Sequence, residues 1–180
     1  MRLGGDVDYL RKAVASRFER ITYDEAIERL NSEEGEFKFG DDLGVLAERT
    51  ILKQFGSIPT FVTHYPTSIK FFNMKRMPDG QRVYSVDLLM PRLGETSGGA
   101  VREEEVEIIK QQLRESRIGS FLQEKGQNPI IPFTDYFDVF KQEPPLLRGG
   151  YGIGFERFVG FLLQSNDILD TVRYVTPLPR

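Results

Sequence analysis

The sequence predicts an α+β fold, an antiparallel sheet flanked by helices. Three observations predict it. Apolar residues in the first quarter recur at spacings of three and four, the mark of amphipathic helices. A Pro78-Asp79-Gly80 turn signal then divides two extended runs, which reads as a β-hairpin. Near the C-terminus the alternating glycines of Gly149-Gly150-Tyr151-Gly152-Ile153-Gly154 lead straight into an apolar, helix-like run. Strands joined by hairpins rather than by regular crossover helices belong to the α+β class.

The elements follow in order. Val7, Leu10, Val14 and Phe18 place a helix over 7–19. Thr22 with Glu25 three positions later is a capping box that opens a short helix over 23–31. Asp41 and Asp42 precede a third helix with Leu43, Leu46 and Ile51 on its apolar face. Thr60-Phe61-Val62-Thr63 is strand-like, and Ile69 to Met77 and Arg82 to Met90 form the arms of the hairpin. Residues 91–101, with one proline and three glycines, read as a loop returning into a strand. A charged helix is expected over 102–116, acidic early and basic late, which suits the helix dipole. Residues 126–133 form a connector, Thr134 opens a helix to about 141, and Pro144-Pro145 stops it. The glycine strand, a helix over 155–164 and a strand from Val172 to Val175 complete the chain. Without repeats or an obvious linker, residues 1–180 read as a single domain.

Composition narrows the function. The chain has 180 residues, is 39% hydrophobic and 28% charged, and carries a net charge of −3, which argues against nucleic-acid binding through bulk positive charge. It has no cysteine and one histidine, His64, so cysteine-based chemistry and histidine-rich metal sites are excluded. No apolar run approaches the roughly 20 residues of a membrane span, so a cytoplasmic protein without a membrane partner is expected.

Two clusters carry the chemistry. Glycines at 150, 152 and 154 let a planar or anionic ligand approach the backbone, and Arg157 offers a permanently charged fork suited to phosphate. Asp87 and Glu95 lie eight apart, one at a strand end and one in the following loop, an arrangement that can bring both carboxylates to one hard cation such as Mg²⁺. Exposed carboxylates scattered on a surface would show the same spacing. Arg102, seven beyond Glu95, can read a carboxylate or an amide through paired hydrogen bonds.

These residues resemble a known family. Gly150 to Arg157 looks like motif 3 of class II aminoacyl-tRNA synthetases. Phe39-Gly40-Asp41-Asp42-Leu43 through Glu48-Arg49, His64-Tyr65-Pro66 through Met74, and Asp87 through Glu104 are similar to the asparaginyl member of the aspartyl/asparaginyl subgroup. The resemblance covers nearly the whole chain and implies part of a class II catalytic domain. It implies that Arg157 contacts the ATP γ-phosphate and that Gly152 and Gly154 admit adenine and ribose. It further implies that Glu95 with Asp87 holds Mg²⁺ and ATP, and that Arg102 reads the amino-acid side chain. The implied reaction is ATP-dependent activation of asparagine or aspartate to an aminoacyl-adenylate. Motif 1, motif 2 and an anticodon-binding domain have no counterpart in these residues. A homodimer, or a partner supplying the missing half, is therefore expected, and binding of tRNA is left open, with no anticodon domain recognised. Leu46 stands where a glutamate is common, and Asn73 where an aromatic is usual, two positions that bear on substrate recognition. Two other functions share these features. One is a stand-alone relative that makes free asparagine from aspartate and ATP, and the other is a non-catalytic binding module.

Overall fold

The fold is described from a computed structural model, for residues 6–33, 35–142 and 146–172. The expected stop at Pro144-Pro145 and the closing strand beyond Val172 lie outside the described residues. Seven helices are described: α1 (Val7–Ala15), α2 (Tyr23–Asn31), α3 (Val45–Gln54), α4 (Val106–Glu115), α5 (Arg117–Glu124), α6 (Thr134–Gln142) and α7 (Phe155–Leu163). Five strands, β1 (Glu19–Thr22), β2 (Thr60–Thr63), β3 (Ser85–Met90), β4 (Gly94–Arg102) and β5 (Arg148–Ile153), form one sheet in the order β1-β2-β3-β4-β5. The sheet is mixed and mostly antiparallel, as the α+β class requires. Strand β1 pairs with β2 in parallel, and the chain between them holds α2 and α3. Antiparallel pairing of β2 with β3 sets Val62 opposite Asp87 and Thr60 opposite Leu89.

The chain divides into two compact units. The first draws on the described residues of Met1–Thr63, Val86–Gly98 and Tyr151–Arg180. One part of its interior joins Ala13 of α1, Met90 of β3 and Phe161 of α7, with Tyr9, Leu10 and Leu88 packed around them. Local sequence chemistry sets its helix ends. Asp6 caps α1 by accepting from the amides of Asp8 and Tyr9. Thr22 and Glu25 form the expected capping box of α2. Buried Ala47, Ile51 and Leu52 give α3 its inner stripe.

The second unit comprises His64–Ser85 and, among the described residues, Gly99–Gly150. Phe72, Ile109, Leu113 and Phe137 form its core, with Phe133, Tyr136 and Phe140 packed against it. Phe72 meets Phe133 edge-on with ring centroids 5.1 Å apart, a favoured aromatic geometry.

Several elements differ from the sequence expectation. The first helix ends at Ala15, and residues to Thr22 turn into β1, because a four-residue strand is too short to show a period. Leu43 is buried but precedes α3, while Leu46 within it is 79% exposed. The first hairpin arm holds only isolated bridges, Arg76 with Val83 and Met74 with Arg102, around the turn at Pro78-Asp79-Gly80. Residues 94–101 are strand rather than loop, so Glu95 sits within β4, and Arg102 ends β4 instead of opening a helix. The helix expected from 102 starts at Val106, and α5 was not foreseen.

Candidate functional site

Within the first unit, β3 and β4 run into each other through a short turn at 91–93. Arg92 and Gly94 both adopt positive φ there, 79° and 75°. Gly94 is required twice over. A side chain would be strained at this φ, and a Cβ would lie only 2.0 Å from Glu48 Oε2. The carboxylate of Glu48 fills the space that the missing side chain leaves. It accepts a hydrogen bond from the Glu95 amide at 2.9 Å.

This hydrogen bond fixes the start of β4, where Glu95 stands, half-buried. Asp87, on β3, is 5% exposed. The two acidic side chains converge. A Cβ added to Gly98 would lie 2.9 Å from Glu95 Oε1 and 3.1 Å from Asp87 Oδ1, so both carboxylates reach the same point. Arg157, in the first turn of α7, closes the cluster, with its Nη1 donating to the Glu95 carbonyl. The amide of Gly154, just before α7, donates to the Thr96 carbonyl at 2.8 Å, and Ser97 Oγ donates to the Gly152 carbonyl at 2.9 Å. These bonds tie the glycine strand to β4. Gly152 has open space where a side chain would be, as close approach of a planar ligand demands.

Electrostatics agree with this geometry. Glu48 is 8% exposed, and burial pushes its carboxyl above the usual carboxylate range. The Glu95 amide and the Arg157 guanidinium pull it down, while the carboxylates of Glu95 and Asp87 push it up. No group of three or more ligating side chains shaped to hold a metal forms among the described residues. Asp87 and Glu95 alone suit Mg²⁺, which commonly takes one or two protein carboxylates and completes its shell with phosphate oxygens and water.

The second unit holds Arg102. Its Nη1 donates to Asn73 Oδ1 at 2.9 Å. Backbone bonds hold the two residues in register, with the Glu103 amide donating to the Asn73 carbonyl at 3.1 Å and Met74 bridged to Arg102. Gly150, expected among the nucleotide glycines, lies against this guanidinium. A Cβ there would sit 2.9 Å from Nε and 3.1 Å from Nη2. A cavity of about 740 Å³ opens on the same unit beside Thr67–Phe72, Gln112 and Arg117, and none of the sequence-predicted site residues lines it.

The structure thus brings Asp87, Glu95, Gly152, Gly154 and Arg157 into one unit and sets Arg102 with Gly150 in the other. Sequence reasoning missed Glu48 and the link from Asn73 to Arg102. A signal for Glu48 was present. It precedes Ile51 and Leu52 by three and four residues, so it is an acid on the apolar stripe of a helix.

Comparison with known proteins gives consistent relatives. Residues 5–179 match the family described as tRNA synthetases class II (D, K and N). The chain is 36% identical over 180 residues to the asparagine–tRNA ligase of Lactobacillus johnsonii, covering 99% of this chain and 38% of that protein. It is also 36% identical, over 179 residues, to the enzyme of that name from Ureaplasma urealyticum, covering 95% of this chain and 36% of that one. The crystal structure of asparaginyl-tRNA synthetase from Pyrococcus horikoshii complexed with asparaginyl-adenylate superposes with a TM-score of 0.75 at 32% identity. That match covers 92% of this chain and 36% of the other. Asparaginyl-tRNA synthetase of Entamoeba histolytica, also in complex with asparaginyl-adenylate, superposes with a TM-score of 0.73 at 31% identity over 92% of this chain and 38% of that one. The chain therefore spans a little over a third of the length of these relatives.

Proposed function

The chain belongs to the class II tRNA synthetases of the D, K and N group, and from that membership we propose that it carries the ATP-binding part of an aminoacyl-adenylate-forming site for asparagine or aspartate. The observation that carries this reading is the cluster in the first unit, where the Asp87 and Glu95 carboxylates converge beside Arg157.

In the proposed reaction an oxygen of the amino acid's carboxylate attacks the α-phosphorus of ATP. A new P–O bond forms, the bond to the β-phosphate bridge breaks, and pyrophosphate leaves. The nucleophile is already ionised, so no basic side chain is needed, which fits a chain with a single histidine. Rate acceleration rests on positioning and on charge stabilisation. Arg157 meets the γ-phosphate with a fork held in place through the Glu95 carbonyl. Gly152 leaves the strand bare for adenine and ribose, and Gly154 lets the chain pass from that strand into α7 beside Arg157. Asp87 and Glu95 would hold Mg²⁺, which when bound neutralises charge on the phosphates. Glu48 maintains the β4 backbone from which Glu95 projects. Considered by itself, the second unit offers Arg102, whose guanidinium suits the carboxamide or carboxylate of an amino acid by paired hydrogen bonds.

ATP–pyrophosphate exchange by the purified chain, with aspartate and asparagine supplied separately, tests the proposal. Exchange with one amino acid names the substrate, and Arg157→Ala should lower it about ten- to a hundredfold. The bond from the guanidinium to phosphate is worth about 1.5–3 kcal/mol, as for other hydrogen bonds to charged groups. A folded chain that shows no exchange alone, but gains it on addition of the remainder of a related catalytic domain, would assign the activity to the completed domain. No exchange in either case would sink the reading.

A further inference from the structure

We propose that Asn73 is the positioning residue for Arg102, and that it sets the balance between asparagine and aspartate at an amino-acid subsite on the second unit. The inference rests on the reading of Arg102 given above. It starts from the guanidinium's surroundings. Arg102 is partly buried, and among the described residues it forms no ion pair with a carboxylate. Its one hydrogen-bond partner among them is the Asn73 side chain. A partly buried arginine without a counter-charge is poised for an acceptor from outside the unit.

Asn73 does two things in this geometry. Its Oδ1 takes up one of the five N–H groups on the fork, which fixes the rotation of the guanidinium plane. It does so without supplying negative charge, so the arginine keeps its full charge for a ligand. Gly150 bounds the fork on the Nε and Nη2 side, where any side chain would collide with it. The backbone bond from the Glu103 amide to the Asn73 carbonyl and the bridge from Met74 to Arg102 hold the tether and the fork at fixed separation. The N–H groups that Asn73 does not occupy remain for an acceptor, and a neutral tether leaves them able to take a carboxylate as well as a carboxamide. Replacing the neutral oxygen at position 73 by a charged one would keep the fork's orientation but offset its charge. That change penalises aspartate far more than asparagine.

Isothermal titration of the full chain with L-asparagine and with L-aspartate tests this, using Asn73→Ala, Asn73→Asp and Arg102→Lys. Asn73→Ala should weaken both amino acids about tenfold and leave ATP binding unchanged, in line with removal of one bond to a charged group. Asn73→Asp should restore asparagine and leave aspartate at least about tenfold weaker, a change of preference that a merely structural residue would not produce. The tether is also read without ligand. The Arg102 guanidinium should rotate slowly about its Nε–Cζ bond in ¹⁵N spectra of the parent, and freely in Asn73→Ala. If both Asn73 variants match the parent while Arg102→Lys loses the amino acid, the proposal is overturned and the reading of Arg102 stands. If Asn73→Ala weakens ATP and amino acid alike, the residue is structural and the proposal is again overturned. If Arg102→Lys binds as the parent does, or the parent binds neither amino acid even with the remainder of a related catalytic domain added, the reading of Arg102 fails and takes the proposal with it.

Discussion

At the residue scale, the site depends on bonds between side chains far apart in sequence. Glu48 lies 47 residues from Glu95, yet its carboxylate satisfies the Glu95 amide. Glu48→Ala should therefore leave a buried donor unpaired and cost about 1–3 kcal/mol of folding stability. Glu48→Gln keeps an acceptor oxygen at the same place and should lose less. Thermal melts of the two variants compare these outcomes, and equal melting temperatures would mean that the bond contributes nothing. Asp87, Glu95, Arg102 and Arg157 were legible in the sequence because residue type, neighbouring glycines and family resemblance all pointed to them. Glu48 and Asn73 were not, since each acts through a partner that only the fold brings near. Gly150 was legible as a special position, but its guanidinium neighbour was not, because spacing alone cannot say what a bare backbone faces.

At the element scale, local rules held where a motif is self-contained. The capping box of α2 needs only Thr22 and Glu25, and it formed as expected. Thr22→Ala should cost about 1 kcal/mol, the usual worth of an N-cap. The amide and hydroxyl of Thr22 hold the Glu25 carboxyl below its ordinary value. A lowered folded-state pKa gives stability that is full above the ordinary carboxylate range and is lost as pH falls through the lowered value. The melting-temperature gap between the parent and Glu25→Gln should accordingly narrow on acidification, and a gap independent of pH would count against the box as its source. Elements that rely on distant pairing were harder to read. Strand β1 exists because β2 offers it a parallel partner, with Ile21 beside Val62, and nothing within four residues announces that. Strand β4 looked like a loop because glycines hold three of the six positions 94–99, a residue poor in intrinsic strand preference that sits between paired neighbours here.

At the scale of the whole molecule, β5 ends the strand order and carries large exposed apolar side chains at and beyond its end. Tyr151 is 78% exposed and Phe155 69%, with Ile153 between them also exposed. Such surface is costly in water and marks a place where further chain packs. We predict that the isolated chain self-associates or takes up a partner through this edge. Light scattering that shows a monomer across a wide concentration range, with a cooperative melt, would refute this. The sheet also imposes an order in time. The β3–β4 turn closes over three residues, and hairpins of this kind form within about 10 μs. The parallel pairing of β1 with β2 must wait until the segment holding α2 and α3 is drawn in, a slower closure. The acidic pair is thus assembled early in folding, before α3 delivers Glu48 to brace it. Pulsed hydrogen exchange would register this as protection of amides shared by β3 and β4 well ahead of those of β1, so the chain sets its acidic pair first and its buttress last.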